Sequence, residues 1–144
     1  MRFAWLCLLV LTVTLALFAQ GDVPAHHTAP PPKGANLPPI LPASERWGPS
    51  FSHPVQVRVY ELAEKISNVL YQQPCYCRCD RSVGHKSLRS CFESTHGAHC
   101  DTCMREAVYA YQMTKLKKTP AQIREGILRG DWEKVDLQTS MAIQ

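Results

Sequence analysis

Apolar residues recur at spacings of three and four in three stretches of the chain, and no stretch sustains the two-residue alternation of a half-buried strand. From Val55 to Tyr71 the stripe is Val55, Val59, Leu62, Ile66, Val69 and Leu70. Pro54 suits the first turn of such a helix, and Gln72-Gln73-Pro74 stops it. From Cys100 to Leu116 the stripe is Cys103, Ala107, Val108, Tyr111 and Leu116. Lys115, Lys117 and Lys118 stand at the end where a helix dipole favours cations. Thr119-Pro120-Ala121-Gln122 then reads as a third helix start, with Thr119 as cap, Pro120 in the first turn and Gln122 closing a capping box. Ile123, Ile127 and Leu128 give it a buried face, and Gly130 ends it. Tyr76 to His99 has no sustained period; Gly84, Gly97 and several serines make it a loop, with one helical turn at Ser87 to Phe92. The expectation is an all-α fold: a small three-helix domain with a cysteine-rich loop clamped between helices.

The flanks set the boundaries. Met1-Arg2, an almost wholly apolar run from Phe3 to Phe18, and Ala19-Gln20-Gly21 read as an export signal over residues 1–21. The rival reading is an uncleaved anchor, a membrane tether through residues 3–19. Cys7 is then a passive apolar residue of that run. Of the 11 prolines, all but Pro74 and Pro120 fall between Pro24 and Pro54. Proline fixes φ and removes amide donors, so residues 22–54 read as a disordered, extended linker making few contacts. That leaves 55–136 as the cysteine-rich helical domain and 137–144 as a flexible tail. So small a domain buries a limited core and commonly needs disulfides or a metal as staples. The net charge of +4 is too mild to imply a nucleic-acid partner. The chain shows no phosphate loop, paired-carboxylate signature or nucleophile motif outside cysteine.

The chemistry lies in Cys75, Cys77, Cys79, Cys91, Cys100 and Cys103. Such density has three common causes: disulfides, metal ligands or redox-active thiols. Export to a periplasmic or extracellular compartment favours disulfides for an even count. The spacing of Cys75, Cys77 and Cys79 argues the other way, because a disulfide between positions two apart closes a small, strained and reducible ring. If this run is extended, Cys75 and Cys79 converge and Cys77 points away; three thiolates meet on one metal only if the backbone turns sharply. Cys100 and Cys103 fall in the first turn of the second helix, where free amides and the dipole lower a thiol pKa. This pair suits either a redox dithiol or half of a thiolate metal site, and one of the first group is expected near it. His85, His96 and His99 lie among the cysteines, and His85 and His99 are the better candidate ligands. Each histidine alone is more often a surface residue.

Pro74-Cys75-Tyr76-Cys77-Arg78-Cys79, Gly84-His85-x-Ser87-Leu88, Cys91-Phe92, Gly97-x-x-Cys100-x-x-Cys103 and Glu106-Ala107 together resemble the PCYCGC-motif proteins, also called the CYCXC family of bacterial (seleno)proteins. The resemblance covers roughly Pro74 to Leu128. It implies an exported or membrane-tethered bacterial protein. Selenocysteine at a motif position in some relatives implies redox or soft-ligand chemistry there, since selenium adds nothing to a plain staple. Arg78 stands where the motif has glycine, which would permit a sharp turn.

Three functional readings follow. The first is a soft-metal domain binding copper or zinc through Cys75, Cys77, Cys79, Cys91, Cys100 and Cys103, with His85 or His99. The second is a thiol-disulfide redox protein in which Cys77 or Cys79 exchanges with a partner protein. The third is a disulfide-stapled interaction module without catalysis.

Overall fold

The computed structural model describes residues 22–143. The helices are α1 (Pro54–Lys65), α2 (Ser67–Leu70), α3 (Cys79–Ser82), α4 (Asp101–Lys115) and α5 (Pro120–Leu128), joined by loops and 3-10 turns. No strand occurs among the described residues, so the fold is all-α, and the cysteine-rich loop lies between α2 and α4. The expected export signal falls outside the described residues. Among those described, no helix is long and apolar enough to cross a membrane.

Helix α1 starts where the sequence places it. His53 is extended, Pro54 occupies the first turn, and the His53 amide donates to Gln56 Oε1 at 2.9 Å. Its buried face, Val55, Val59, Tyr60, Leu62 and Ala63, packs chiefly on α4. Each fully buried aliphatic side chain there contributes about 1.5–3 kcal/mol. The single helix expected over 55–71 is broken at β-branched Ile66 (φ −124°, ψ 26°), yet Leu70 beyond the break is still fully buried. Helix α4 buries Cys103, Met104, Glu106, Ala107, Val108 and Ala110. It closes with paired backbone bonds, Lys118 N to Met113 O at 3.0 Å and Lys117 N to Thr114 O at 2.9 Å, around a left-handed Lys117. Leu116, expected on the stripe, caps that end and is 64 % exposed.

In α5 the Thr119–Gln122 capping box forms with both of its bonds. Its core face is Ile123, Gly126 and Ile127, and Leu128 points outward instead. Gly126 takes the third place because α5 runs so close to α4 that a Cβ there would fall 1.8 Å from the Tyr109 hydroxyl oxygen.

Two expectations about the flanks are corrected. The proline-rich segment is not a detached linker. Pro24 is fully buried, Ile40, Leu41 and Phe51 join the core, and the Leu41 amide donates to Phe92 O at 2.8 Å. Buried Arg46 donates to Leu41 O and Glu64, and His27 stacks on Tyr71 at 3.8 Å between ring centroids. Proline lacks an amide donor, so such a chain can lie along a surface without orphaning N–H groups. Nor is the C-terminus a loose tail. Leu137–Ala142 forms a 3-10 turn that buries Leu137 and Ser140, and Arg58 donates to Ile143 O.

The loop carrying the cysteines is held from beneath by Tyr60. Its ring packs edge-on against Phe51 and Phe92, both at 5.0 Å between centroids. Its hydroxyl donates to Ser94 O at 2.7 Å and accepts from the Ala98 amide at 3.1 Å. Buried Gln73 ties the other end, donating to Pro120 O while its own carbonyl accepts from the Leu88 amide.

Candidate metal centre

The run from Cys75 to Cys79 is not extended. The Arg78 amide donates back to Cys75 O at 3.2 Å, Arg78 is left-handed (φ 61°, ψ 28°), and α3 begins at Cys79. This turn sends all three sulfurs to one side. Cys77 Sγ lies 3.3 Å from Cys75 Sγ and 2.8 Å from Cys79 Sγ. Helix α4 supplies Cys103, whose sulfur is 3.3 Å from Cys75 and 3.4 Å from Cys77. The 3-10 turn Leu88–Phe92 supplies Cys91, 3.2 Å from Cys79. The sulfurs of Cys75, Cys77, Cys79, Cys91 and Cys103 all lie within 4.8 Å of one another. The shortest separation, 2.8 Å, is well beyond the ~2.05 Å of a disulfide. Ligands on one tetrahedral ion with bonds of about 2.3 Å sit roughly 3.8 Å apart, so a metal needs only a slight spreading of this group.

A family described as "Protein of unknown function with PCYCGC motif" matches residues 48–133. The chain belongs to the PCYCGC family. No curated protein and no solved structure matches it.

The turn gives the glycine of the PCYCGC motif a physical reason, because the position it occupies is left-handed here. A side chain at such a φ costs about 1–2 kcal/mol. Arg78 offsets part of that cost: it donates to Asp22 O at 2.6 Å and lies 5.5 Å from the Tyr76 ring centroid. Arg78→Gly should therefore leave stability within about 1 kcal/mol of wild type. Arg78→Val, β-branched at positive φ, should lose about 1–2 kcal/mol or more. Urea unfolding of the two variants checks this; equal losses would place the strain elsewhere.

The histidines sort differently from expectation. His85 joins the cluster, with Nδ1 3.3 Å from Cys91 Sγ. Left-handed Gly84 and a bond from the His85 amide to Cys79 O fold it back. The structure does not bring His99 to the cluster; its Nε2 lies 3.0 Å from Ser50 Oγ on the exposed side. His96 takes the place instead. Its ring packs edge-on against His85 at 4.8 Å, and Cys79, His85, Cys91 and His96 place their ligand atoms within 4.8 Å of one another. The signal was Gly97: a Cβ there would fall 2.8 Å from Cys91 O, so the chain beside His96 runs directly against Cys91.

Cys100 is the N-cap of α4 and sits half-exposed at the rim, outside the group of five. The expectation that the helix start lowers both thiol pKa values is overturned at both: at Cys100 the lowering hydrogen bond to Cys103 is outweighed by that to Cys77 and by burial, so its thiol too is raised. Hydrogen bonding to Cys100, then to Cys75, Cys77 and Cys79, together with burial, pushes the Cys103 thiol up. Cys77 is pushed down instead, by hydrogen bonds from Cys100 and Cys103 first and from Cys75 and Cys79 next. Cys77 is also half-exposed, which makes it the entry to an otherwise buried cluster.

One site residue was not foreseen. Glu106 on α4 is fully buried, and its Oε1 accepts from the Tyr76 amide at 2.8 Å, pinning the cysteine turn to the helix. Burial pushes its carboxyl up to about 8, against the pull of hydrogen bonds from Tyr76 and Cys75.

Proposed function

We propose that this chain is an exported soft-metal protein that holds copper(I) or zinc through clustered thiolates. The supporting observation is that five sulfurs from the turn, the loop and α4 lie within 4.8 Å of one another at non-bonded distances. Thiolate-rich donor sets select copper(I) and zinc over harder ions. Residues 1–21 support export, with a membrane tether as the alternative fate. The test is elemental analysis with thiol counting on protein from its native compartment. Bound copper or zinc should shield the buried thiols from an alkylating reagent, and chelation should expose them. Metal-free protein whose thiol count ignores added metal would reject the reading.

One observation favours a second reading. Cys77 is half-exposed and its thiolate is favoured, as in a thiol that exchanges with a partner protein's disulfide. Cys77→Ser separates the two. The redox reading requires loss of mixed-disulfide trapping with metal content unaffected, whereas the metal reading requires metal loss.

A further inference from the structure

We propose that the cluster is two adjoining metal sites: a three-sulfur site of Cys75, Cys77 and Cys103 for copper(I), and a mixed site of Cys79, Cys91, His85 and His96 for zinc. This rests on the metal-binding reading above and deepens it. The three sulfurs of the first site form a nearly equilateral triangle with sides of 3.3, 3.3 and 3.4 Å. Three thiolates at the corners of a triangle suit a trigonal copper(I) ion. The second group offers two sulfurs and two imidazoles, the donor set of many tetrahedral zinc sites, and its four ligand atoms lie within 4.8 Å of one another.

Cys79 belongs with this second group. It touches Cys91 at 3.2 Å, and its contact with Cys77 at 2.8 Å is where the two groups meet. A single four-coordinate ion would leave donors idle. His96 belongs to the group of four, and its Nε2 is shut off from solvent with no hydrogen-bond partner. Buried polar atoms are rarely left so, and a metal would satisfy it.

Charge gives an independent argument. Four of the five sulfurs are buried, and uncompensated buried charge is costly. One divalent ion among five thiolates leaves three negative charges unmatched. A copper(I) and a zinc together leave two, both on the three-sulfur site that Cys77 opens to solvent, while the mixed site is neutral. A second ion therefore relieves what the first cannot.

The test uses the full chain as purified from cells supplied with both metals. Copper and zinc are counted per chain, and cobalt(II) is then exchanged into the zinc position as a spectroscopic probe. Wild type should carry one copper and one zinc, and the cobalt form should show the visible bands of a tetrahedral sulfur–nitrogen site. His85→Ala and His96→Ala should each lose the zinc or cobalt equivalent and keep the copper. Cys75→Ser should do the reverse. A total of one ion in wild type, or both ions retained in both histidine variants, would overturn the two-site proposal while leaving metal binding intact. Absence of both metals would overturn both. The wild-type count decides the matter even if a variant fails to fold.

Discussion

Cys103→Ser is expected to lose a full equivalent of bound metal, while Cys100→Ser keeps its metal. The two cysteines are three residues apart at the start of one helix and their side chains are hydrogen-bonded, yet only Cys103 belongs to the group of five. Cys103 is fully buried and touches both Cys75 and Cys77; Cys100 is half-exposed at the rim. A serine hydroxyl is a hard, weakly acidic donor and a poor substitute for thiolate toward a soft ion. Metal binding to the folded chain adds stability in proportion to the logarithm of ligand over Kd, so even a 100-fold weakening removes about 2.7 kcal/mol. That is a large part of the ~5–15 kcal/mol stability of a typical domain. The check is metal content and thermal midpoint, with and without chelator. Chelation should lower the midpoint of wild type and Cys100→Ser by the full amount and that of Cys103→Ser by less, since only the ion held at Cys79, Cys91, His85 and His96 remains to be removed. Equal behaviour of the two variants would remove Cys103 from the ligand set.

The helices were legible because their signals are local. Pro54 in the first turn of α1, the Thr119–Gln122 capping box of α5, and most of the apolar spacing in α1, α4 and α5 each lie within a few residues and form as read. The approach of one of the first cysteine group to the helix-start pair was also legible, and it is Cys75 that meets Cys103, since a long loop returning to a helix start brings them into reach. What failed depends on contacts distant in sequence. The proline-rich segment looked unstructured by composition, but its value to the fold is Leu41 meeting Phe92 and Ala25 meeting Asp80. The choice of His96 over His99 turned on which side of Gly97 faces Cys91. The left-handed Arg78 was hidden because glycine is the residue that announces such a turn. In the sequence Glu106 stands only as part of the Glu106-Ala107 motif, with no role; the arrival of the Tyr76 amide gives it a reason to be buried.

Glu106 carries the second large effect. Glu106→Ala should cost about 3 kcal/mol, because it leaves the Tyr76 amide without its acceptor, worth about 1–3 kcal/mol, and opens a cavity beneath the cysteine turn. Glu106→Gln keeps a carbonyl oxygen for that amide and should fold normally. Its pH behaviour is the sharper test. Burial raises the Glu106 carboxyl from an ordinary 4.5 to about 8, so the folded chain holds a proton that the unfolded chain releases. Below pH 4.5 both states are protonated, and the group adds no pH dependence. Between 4.5 and about 8, stability falls as pH rises, by up to about 1.4 kcal/mol per pH unit, and above that window it levels off. Thiolate–metal bonding runs in the opposite direction, since protons compete for the sulfurs, but it is common to wild type and Glu106→Gln. The difference between their unfolding free energies therefore isolates the carboxyl. Glu106→Gln should gain on wild type steadily from pH 5 to 8, whereas parallel curves would mean that Glu106 is charged in the folded protein. A neutral carboxyl suits the proposed metal site: beside buried sulfurs that would give up protons to a metal, another fixed negative charge would oppose the thiolates.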